Sequence, residues 1–260
     1  MEEHMKILLV GYGRMGQALV QHWINFQEVD LSVVSPHCPN RSNYFTSMTQ
    51  LPANYLPDII IFSVKPQILG AVALAYKNYV KEETVVISVA AGISLHQLRE
   101  WIGGKLVRVM PNLPVTVGQG VTGIYAPNLT PWQREAVEHL FKCSGLTLWV
   151  DSEEMIDAVT AISGSGPAYY YYFTECLSRA GENLGLSPEI AKALAHQTFL
   201  GAAAILAGQS DLNVVQLREQ VTSPNGTTAA ALNAFEQQKM DECINVAVHA
   251  AFQRARELSK

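Results

Sequence analysis

The chain has 260 residues, of which 48% are hydrophobic and 16% are charged, as in globular proteins with one large or two modest domains. Its net charge of −5 without basic clusters argues against nucleic-acid binding, because neutralising phosphates requires a patch of Lys and Arg. The four cysteines lie far apart without metal-ligand spacing, so we expect reduced thiols, no metal site and a cytoplasmic protein.

The first part of the chain alternates predicted strands and helices. Short, β-branched, continuously apolar runs predict strands at 6–10, 31–34, 59–64, 85–90, 106–110 and 146–150. Helical patterns between several of them predict helices at 15–26, 67–79, 95–101 and 131–142. Buried strands separated by amphipathic helices are typical of a mostly parallel sheet covered on both faces. We therefore predict an α/β fold with an N-terminal Rossmann domain over residues 1–152.

The rest of the chain, residues 153–260, predicts an all-helical domain. It contains segments rich in Ala, Leu, Glu and Gln, broken by turn residues at 164–167, 185–188, 208–211 and 223–226. Its most apolar stretch, 193–207, is interrupted by polar residues and is too short to span a bilayer, so we expect a buried helix. The polar first residues and the short apolar run after them do not resemble a secretory signal. We expect no membrane association.

A glycine-rich turn follows the first predicted strand with G-x-G-x-x-G spacing. Glycines at the first, third and sixth positions allow a tight turn, close approach of a pyrophosphate and packing of the next helix on the strand. The unpaired N–H groups of that helix favour an anion. This turn predicts a dinucleotide site made by Gly11, Tyr12, Gly13, Arg14, Met15 and Gly16.

The end of the second predicted strand favours NADPH over NADH. An NAD site places Asp or Glu there to bind the ribose hydroxyls, whereas an NADP site supplies hydroxyls or a cation instead. The strand is followed by Ser35, with Arg41 beyond, and Asp30 lies before its opposite end. We predict that Ser35 and Arg41 serve a 2′-phosphate, while NADH stays possible and Arg41 has the alternative of being a solvated loop charge.

Other strand ends supply further candidates for the cofactor groove, because ligands of such sheets bind outside the carboxyl ends of the strands. A stiff segment with two prolines around an Asn also follows a predicted strand, and the Asn amide can bond a cofactor or substrate group. These candidates are Val64, Lys65, Pro66, Ala90, Ala91, Gly92 and Asn112. Taken alone, 64–66 and 90–92 have the alternative of being ordinary loop segments.

Two segments of the helical part suggest a site for a small carboxylate. Around Ser163, small residues and a proline leave room where one helix meets another. At 221–232 the chain forms a turn of hydroxyls and backbone N–H groups that opens into a helix, with Asn225 and Gly226 supplying the positive φ of a tight turn. A redox cofactor and a small acid on one chain indicate a reductase.

These segments together resemble the pyrroline-5-carboxylate reductase family over nearly the whole chain, in five ordered blocks at 11–16, 64–66, 108–114, 157–169 and 221–232. The resemblance implies reduction of a cyclic imine to L-proline by NADPH or NADH, the last step of proline biosynthesis. It also implies a C-terminal helical domain that dimerises and often builds larger rings of dimers. Asn225 departs from the family, in which many members have a second glycine.

The resemblance also implies roles for individual residues. Thr228 would hydrogen-bond the substrate nitrogen and is the candidate catalytic residue, with the alternative that it only caps its helix. The other residues implied in substrate binding are Ser163, Ser223, Gly226 and Thr227.

Two other functions compete with this hypothesis. A β-hydroxyacid dehydrogenase combines similar domains but needs a Lys on the first helix between them, and the only Lys between Lys142 and Lys239 is Lys192, beyond that helix. A regulatory NADP-binding protein would not need the blocks around Ser163 and Ser223.

Overall fold

The structure is a computed structural model that describes residues 4–24, 26–52, 54–208 and 213–259. The chain divides into two compact units. The first comprises Met1–Ser165 together with Ala250–Lys260, and the second comprises Gly166–His249.

The first unit contains one eight-stranded sheet. Its strands are β1 Met5–Val10, β2 Val29–Val34, β3 Tyr44–Phe45, β4 Ile59–Phe62, β5 Val85–Ser88, β6 Lys105–Pro111, β7 Gly120–Tyr125 and β8 Gly145–Trp149. They are arranged in the order β3-β2-β1-β4-β5-β6-β7-β8. All neighbours are parallel except β6 and β7. The strand order reverses between β1 and β4, which makes this the switch point of the sheet.

The core lies on both faces of the sheet. Consecutive residues of β1 point to opposite faces, so Ile7 and Leu9 join one buried cluster while Leu8 and Val10 join the other. Helices α1 Arg14–Trp23 and α4 Pro131–Lys142 cover the first face, and helices α2 Pro66–Ala75 and α3 Leu95–Trp101 cover the second. This double burial explains why the strands are continuously apolar.

The mostly parallel Rossmann sheet predicted from the sequence is confirmed, although the boundaries differ. The predicted strands at 59–64 and 85–90 are each two residues too long. Phe62 is the last partner of Val10, after which Gly11 leaves the sheet with a φ of +101°, so β4 has no neighbour to continue on that side. The predicted helices at 15–26 and 67–79 end early, at Trp23 and at Ala75, and a short 3-10 turn follows the second.

Two strands escaped prediction. β3 has only two residues, and β7 carries two glycines that break its apolar run. β7 is the antiparallel neighbour of β6 and the parallel neighbour of β8, so long-range pairing compensates for its weak strand propensity.

The segment after β8 remains attached to the sheet. Helix α5 Glu154–Val159 continues into a π-helical turn, Thr160–Gly164, and the described residues after Trp149 contain helices and turns but no strand. The predicted break at 164–167 coincides with the end of the π turn and a bend at Ser165, after which α6 Gly166–Asn183 begins. The division into functional domains after residue 152 stays a prediction, since residues 153–165 pack with the first unit.

The second unit is helical. Besides α6 it contains α7 Pro188–Gly208, α8 Val214–Gln220, α9 Thr227–Gln237 and the first half of α10 Met240–Leu258. The second half of α10 belongs to the first unit. The predicted break at 208–211 lies largely outside the described residues.

Helix α7 is not the buried helix that its sequence predicts. In the single chain only Ala191 and Ala195 on this helix are buried, whereas Leu200 and Ile205 are more than half exposed. Among the described residues α7 alone has the length and composition of a membrane-crossing helix, a weak indication by itself. An apolar, alanine-rich surface of this kind is also typical of an interface between subunits.

Candidate active site

The predicted cofactor residues lie along one edge of the sheet. Strands β1, β2, β4, β5 and β6 are parallel, so their carboxyl ends meet at this edge. The glycine turn follows β1, Ser35 follows β2, Val64 follows β4, Ala90 follows β5, and Asn112 follows β6. The switch point between β1 and β4 lies at the centre of this row.

Gly11 and Gly16 allow the glycine turn to pack closely. A Cβ on Gly11 would stand 2.7 Å from the backbone oxygen of Ser63 on the neighbouring strand end. A Cβ on Gly16 would stand 2.5 Å from the backbone oxygen of Gly11, so the start of α1 touches the end of β1. No other residue fits these two positions without moving the backbone.

Gly13 has a different environment. It is exposed and precedes the first residue of α1, and a Cβ there would have no protein atom within 4 Å. Within the described residues no side chain caps α1, and its first turn carries no acidic group. Tyr12, Arg14 and Met15 complete the turn, with the Tyr12 carbonyl accepting a hydrogen bond from the Gln17 side chain at 3.0 Å. The turn thus presents open space and free helix N–H groups to an anion.

Ser63 supports a polar ligand at the same place. Its hydroxyl oxygen is buried and has no hydrogen-bond partner among the described residues. It would lie 3.3 Å from a Cβ on Gly16, directly behind the glycine turn. A buried unpaired hydroxyl is costly, and a phosphate oxygen or its bound water would satisfy it. The residues present therefore fit a dinucleotide pyrophosphate.

The candidates for the adenosine end surround Tyr44. Ser35 is buried and its N–H donates to Phe45 at 2.9 Å, whereas Arg41 is exposed in the loop before β3. The ring of Tyr44 packs edge-on against Tyr12 with centroids 5.6 Å apart. Its hydroxyl has no hydrogen-bond partner of good geometry within the described chain. Burial raises the pKa of Tyr44, nearby Tyr12 raises it further, and Arg41 partly offsets the rise.

The remaining strand-end candidates lie next to helices: 64–66 lead into α2, and 90–92 pack against the end of α10. Pro66 begins α2 and Lys65, which is exposed, precedes it, while Val64 is half-buried. In the loop after β5, Ala90 and Gly92 are buried and Ala91 is half-buried. Gly92 has a φ of +73°, and a Cβ there would stand 2.5 Å from the Cβ of Leu258, so α10 closes over this loop.

Asn112 is buried, and both polar atoms of its side chain bond within the chain. Its Nδ2 donates to the backbone oxygen of Ser163 at 3.1 Å, and its Oδ1 accepts from the N–H of Val121 at 2.8 Å. The hydroxyl of Ser163 donates to the backbone oxygen of Val159 at 3.0 Å. The structure therefore joins two candidates that the sequence assigned to different ligands.

The predicted carboxylate site lies in the second unit, at the start of α9. Asn225 has a φ of +59°, the glycine-like conformation expected at this turn. The expectation that Gly226 also supplies a positive φ is wrong, because its φ is −81°. The N–H of Gly226 donates to the backbone oxygen of Ser223 at 3.0 Å, and Thr227 is the first residue of the helix. Thr228 is half-buried, and its hydroxyl makes no hydrogen bond to the described residues. That hydroxyl is thus not occupied in capping α9.

Sequence reasoning missed a buried ion pair in the first unit. Arg108 on β6 donates to Asp157 on α5 at 2.6 Å, with both side chains at least 93% buried. Glu153 lies 3.4 Å from the same guanidinium and also accepts from the N–H of Leu95 at 2.7 Å. Ser259 near the C-terminus donates to Asp157 at 3.3 Å. The charged residues were visible, but nothing local in the sequence pairs positions 49 residues apart.

A parallel sheet with a glycine turn at its switch point, followed by a helical unit, defines the class of Rossmann-fold dinucleotide-binding enzymes. Residues 153–258 match the pyrroline-5-carboxylate reductase dimerisation family. Over 206 residues the chain is 43% identical to the pyrroline-5-carboxylate reductase of Pseudomonas aeruginosa, covering 78% of this chain and 75% of that one. The chain belongs to the pyrroline-5-carboxylate reductase family.

Solved structures agree over the full length. The chain has a TM-score of 0.89 and 34% identity to a pyrroline-5-carboxylate reductase from Coxiella burnetii, covering 98% of both chains. It has a TM-score of 0.85 and 33% identity to the Plasmodium falciparum pyrroline carboxylate reductase with NADP bound, covering 100% of both. The predicted family and fold class are confirmed.

Gly13→Ala is expected to weaken cofactor binding without harming the fold. The added methyl group meets no protein atom, so the melting temperature should not change. It would occupy the open side of the turn, and losing about 1.4 kcal/mol of phosphate contact there raises the KM for NADPH about tenfold. Gly103→Ala is the matched control, because its Cβ also meets open space. An unchanged KM in Gly13→Ala would show that the pyrophosphate binds elsewhere.

Proposed function

We propose that the protein reduces 1-pyrroline-5-carboxylate to L-proline with NADPH, as a pyrroline-5-carboxylate reductase. The observation that carries this function is the 43% identity to a curated member of the family. The open glycine turn and the unpaired hydroxyl of Ser63 support a dinucleotide at the sheet edge. The test compares the oxidation of NADPH by purified protein with the imine and without substrate. A parallel assay follows the reduction of NADP by the protein with a 3-hydroxy acid. Activity with the hydroxy acid alone would favour a dehydrogenase instead.

The reaction places modest demands on side chains. A dinucleotide held at the glycine turn would supply the hydride for the new C–H bond at the imine carbon, while the C=N π electrons would become the nitrogen lone pair. A protonated imine is already electrophilic, so the protein needs no strong acid to start the step. Binding geometry and electrostatic stabilisation supply most of the rate enhancement. This is consistent with a site in which the candidate residues are hydroxyls and backbone N–H groups.

The turn before α9 is the proposed substrate site. The N–H groups of its first residues and the hydroxyls of Ser223 and Thr227 would hold the carboxylate, with Gly226 allowing close approach. The unoccupied hydroxyl of Thr228 would donate to the ring nitrogen as its lone pair develops. Ser163, in the first unit, is proposed as a substrate-binding residue on the family resemblance alone.

The NADPH preference depends on the end of β2. No acidic residue follows Val34, and Arg41 supplies a cation beside Tyr44. Ser35→Asp should repel a 2′-phosphate, so the ratio of kcat/KM with NADPH to that with NADH is expected to fall about tenfold or more. The NADH value in the same variant is the internal control for a folded enzyme. A lower KM and a higher kcat/KM with NADH in the unaltered protein would refute the assignment.

The homo-oligomer is proposed to be a dimer formed by the helical unit, with rings of dimers as a further possibility of the family. Large apolar side chains on α6, α7 and α10 are more than half exposed in the single chain, among them Tyr170, Leu200 and Val246. Covering them in a subunit interface explains a surface that a monomer would not keep. Light scattering at micromolar concentration is expected to give at least twice the monomer mass of 28.5 kDa. A monomer mass would contradict the proposal.

The same interface explains the exposed apolar side chains of α7 without a membrane. Its apolar side chains would pack against the partner, and no membrane or nucleic acid is needed as a further partner. The four cysteines are free, as suits the reducing cytoplasm in which we place the enzyme.

A further inference from the structure

Asn112 occupies a buried position between the end of β6 and the π turn Thr160–Gly164. Its two hydrogen bonds set the orientation of the amide, because only the nitrogen can donate to Ser163 and only the oxygen can accept from Val121. One side chain thus ties the start of β7 and the π turn to β6.

The carbonyl of Ser163 has lost its regular helical partner. In an α-helix it would accept from the N–H four residues later, and that residue is Pro167, which has no N–H. The backbone forms a π turn instead, in which the N–H of Ser165 donates to the backbone oxygen of Thr160 at 2.9 Å. The amide of Asn112 therefore supplies the donor that the proline removes.

Strand β6 holds this helical segment at two places. At its middle, Arg108 pairs with Asp157 on α5. Near its end, a Cβ on Gly164 would stand 2.7 Å from the Cε of Met110, so backbone and strand are in close contact. The hydrogen bond from Asn112 lies beside this second contact and acts directly on Ser163.

We propose that Asn112 is a positioning residue, which holds Ser163 and the two residues after it in place for the reduction. The inference rests on the proposed function, in which Ser163 contacts the substrate. It gives Asn112 a different role from the direct cofactor contact expected from the sequence, since both polar atoms of its amide already bond within the chain. Interruptions of a helix by a π turn are frequent at functional sites.

Asn112→Asp is the sharpest test. The carboxyl group keeps the shape and the acceptor for Val121 but replaces the donor with an oxygen that faces the carbonyl of Ser163. Because small displacements of positioning groups cost up to about a hundredfold in rate, kcat is expected to fall about ten- to a hundredfold. The KM for NADPH should stay within about twofold, since the glycine turn is untouched. Asn128→Asp, in an exposed loop, is the matched control and should keep the parent kcat.

A double-mutant cycle tests the hydrogen bond without any substrate. Asn112→Ala should lower the melting temperature less in the Pro167→Ala background than in the parent, because alanine returns an N–H for the carbonyl of Ser163. Equal losses in both backgrounds would overturn the proposal. So would a lower melting temperature of Asn112→Asp with an unchanged kcat. A parent protein inactive on the imine would contradict the proposed function itself, whereas absent coupling in an active enzyme contradicts only the role of Asn112.

Discussion

Asp157→Asn is expected to lower the free energy of unfolding by about 3–5 kcal/mol, because it leaves the buried guanidinium of Arg108 without its closest counter-charge. The remaining carboxylate, Glu153, lies farther away at 3.4 Å and is more exposed. Chemical denaturation at one protein concentration measures the change, since assembly adds to apparent stability.

Glu135→Gln is the control for this prediction. It also neutralises a helical carboxylate of the first unit, but Glu135 is exposed, so its variant should unfold like the parent protein. The double variant Arg108→Met with Asp157→Leu should lose less than the sum of the single losses, because no charge is left unpaired between the two positions. If Asp157→Asn is as stable as the control, the pair does not stabilise this packing.

Thr228→Ala is expected to reduce turnover about ten- to a hundredfold. This corresponds to the loss of about 1.5–3 kcal/mol from a hydrogen bond to the substrate nitrogen, whose charge changes during the reaction. The hydroxyl of Thr228 makes no hydrogen bond to the described residues, so it is available to the ring nitrogen of the substrate. Steady-state kinetics should show a lower kcat with a nearly unchanged KM for NADPH. Thr228→Ser keeps the hydroxyl and should recover most of the activity.

Thr130→Ala separates this role from helix capping. Thr130 caps α4 by accepting from the N–H of Gln133 at 3.2 Å. Its loss should cost about 0.5–2 kcal/mol of stability and leave turnover unchanged, which is the reverse of the pattern expected for Thr228→Ala. If Thr228→Ala lowers the melting temperature and keeps its turnover, Thr228 only stabilises the start of α9 and takes no part in the reaction.

Local chemistry made much of the fold and of the cofactor edge predictable. The G-x-G-x-x-G turn needs only a strand end and three glycines, and its geometry follows from the missing Cβ atoms of Gly11 and Gly16. The positive φ of Asn225 likewise follows from the residue type and its neighbour Gly226. Such features are set within a few residues of chain, so the sequence alone predicts them.

Features that depend on partners distant in the chain could not be predicted. β7 forms because β6 and β8 pair with it, although its own residues favour a strand weakly. The exposed surface of α7 was mistaken for a buried one, because an apolar helix looks the same whether its own chain or a second copy covers it.

The sequence by itself determined six of the eight strands, the glycine turn and the family, because apolar periodicity, turn residues and local motifs carry them. Only the tertiary structure decided that Arg108 pairs with Asp157, that the hydroxyl of Ser63 is buried without a partner, and that Asn112 serves the carbonyl of Ser163. The physical reason is that hydrogen bonds and ion pairs act over about 3 Å in space, and only the folded chain brings such distant positions together.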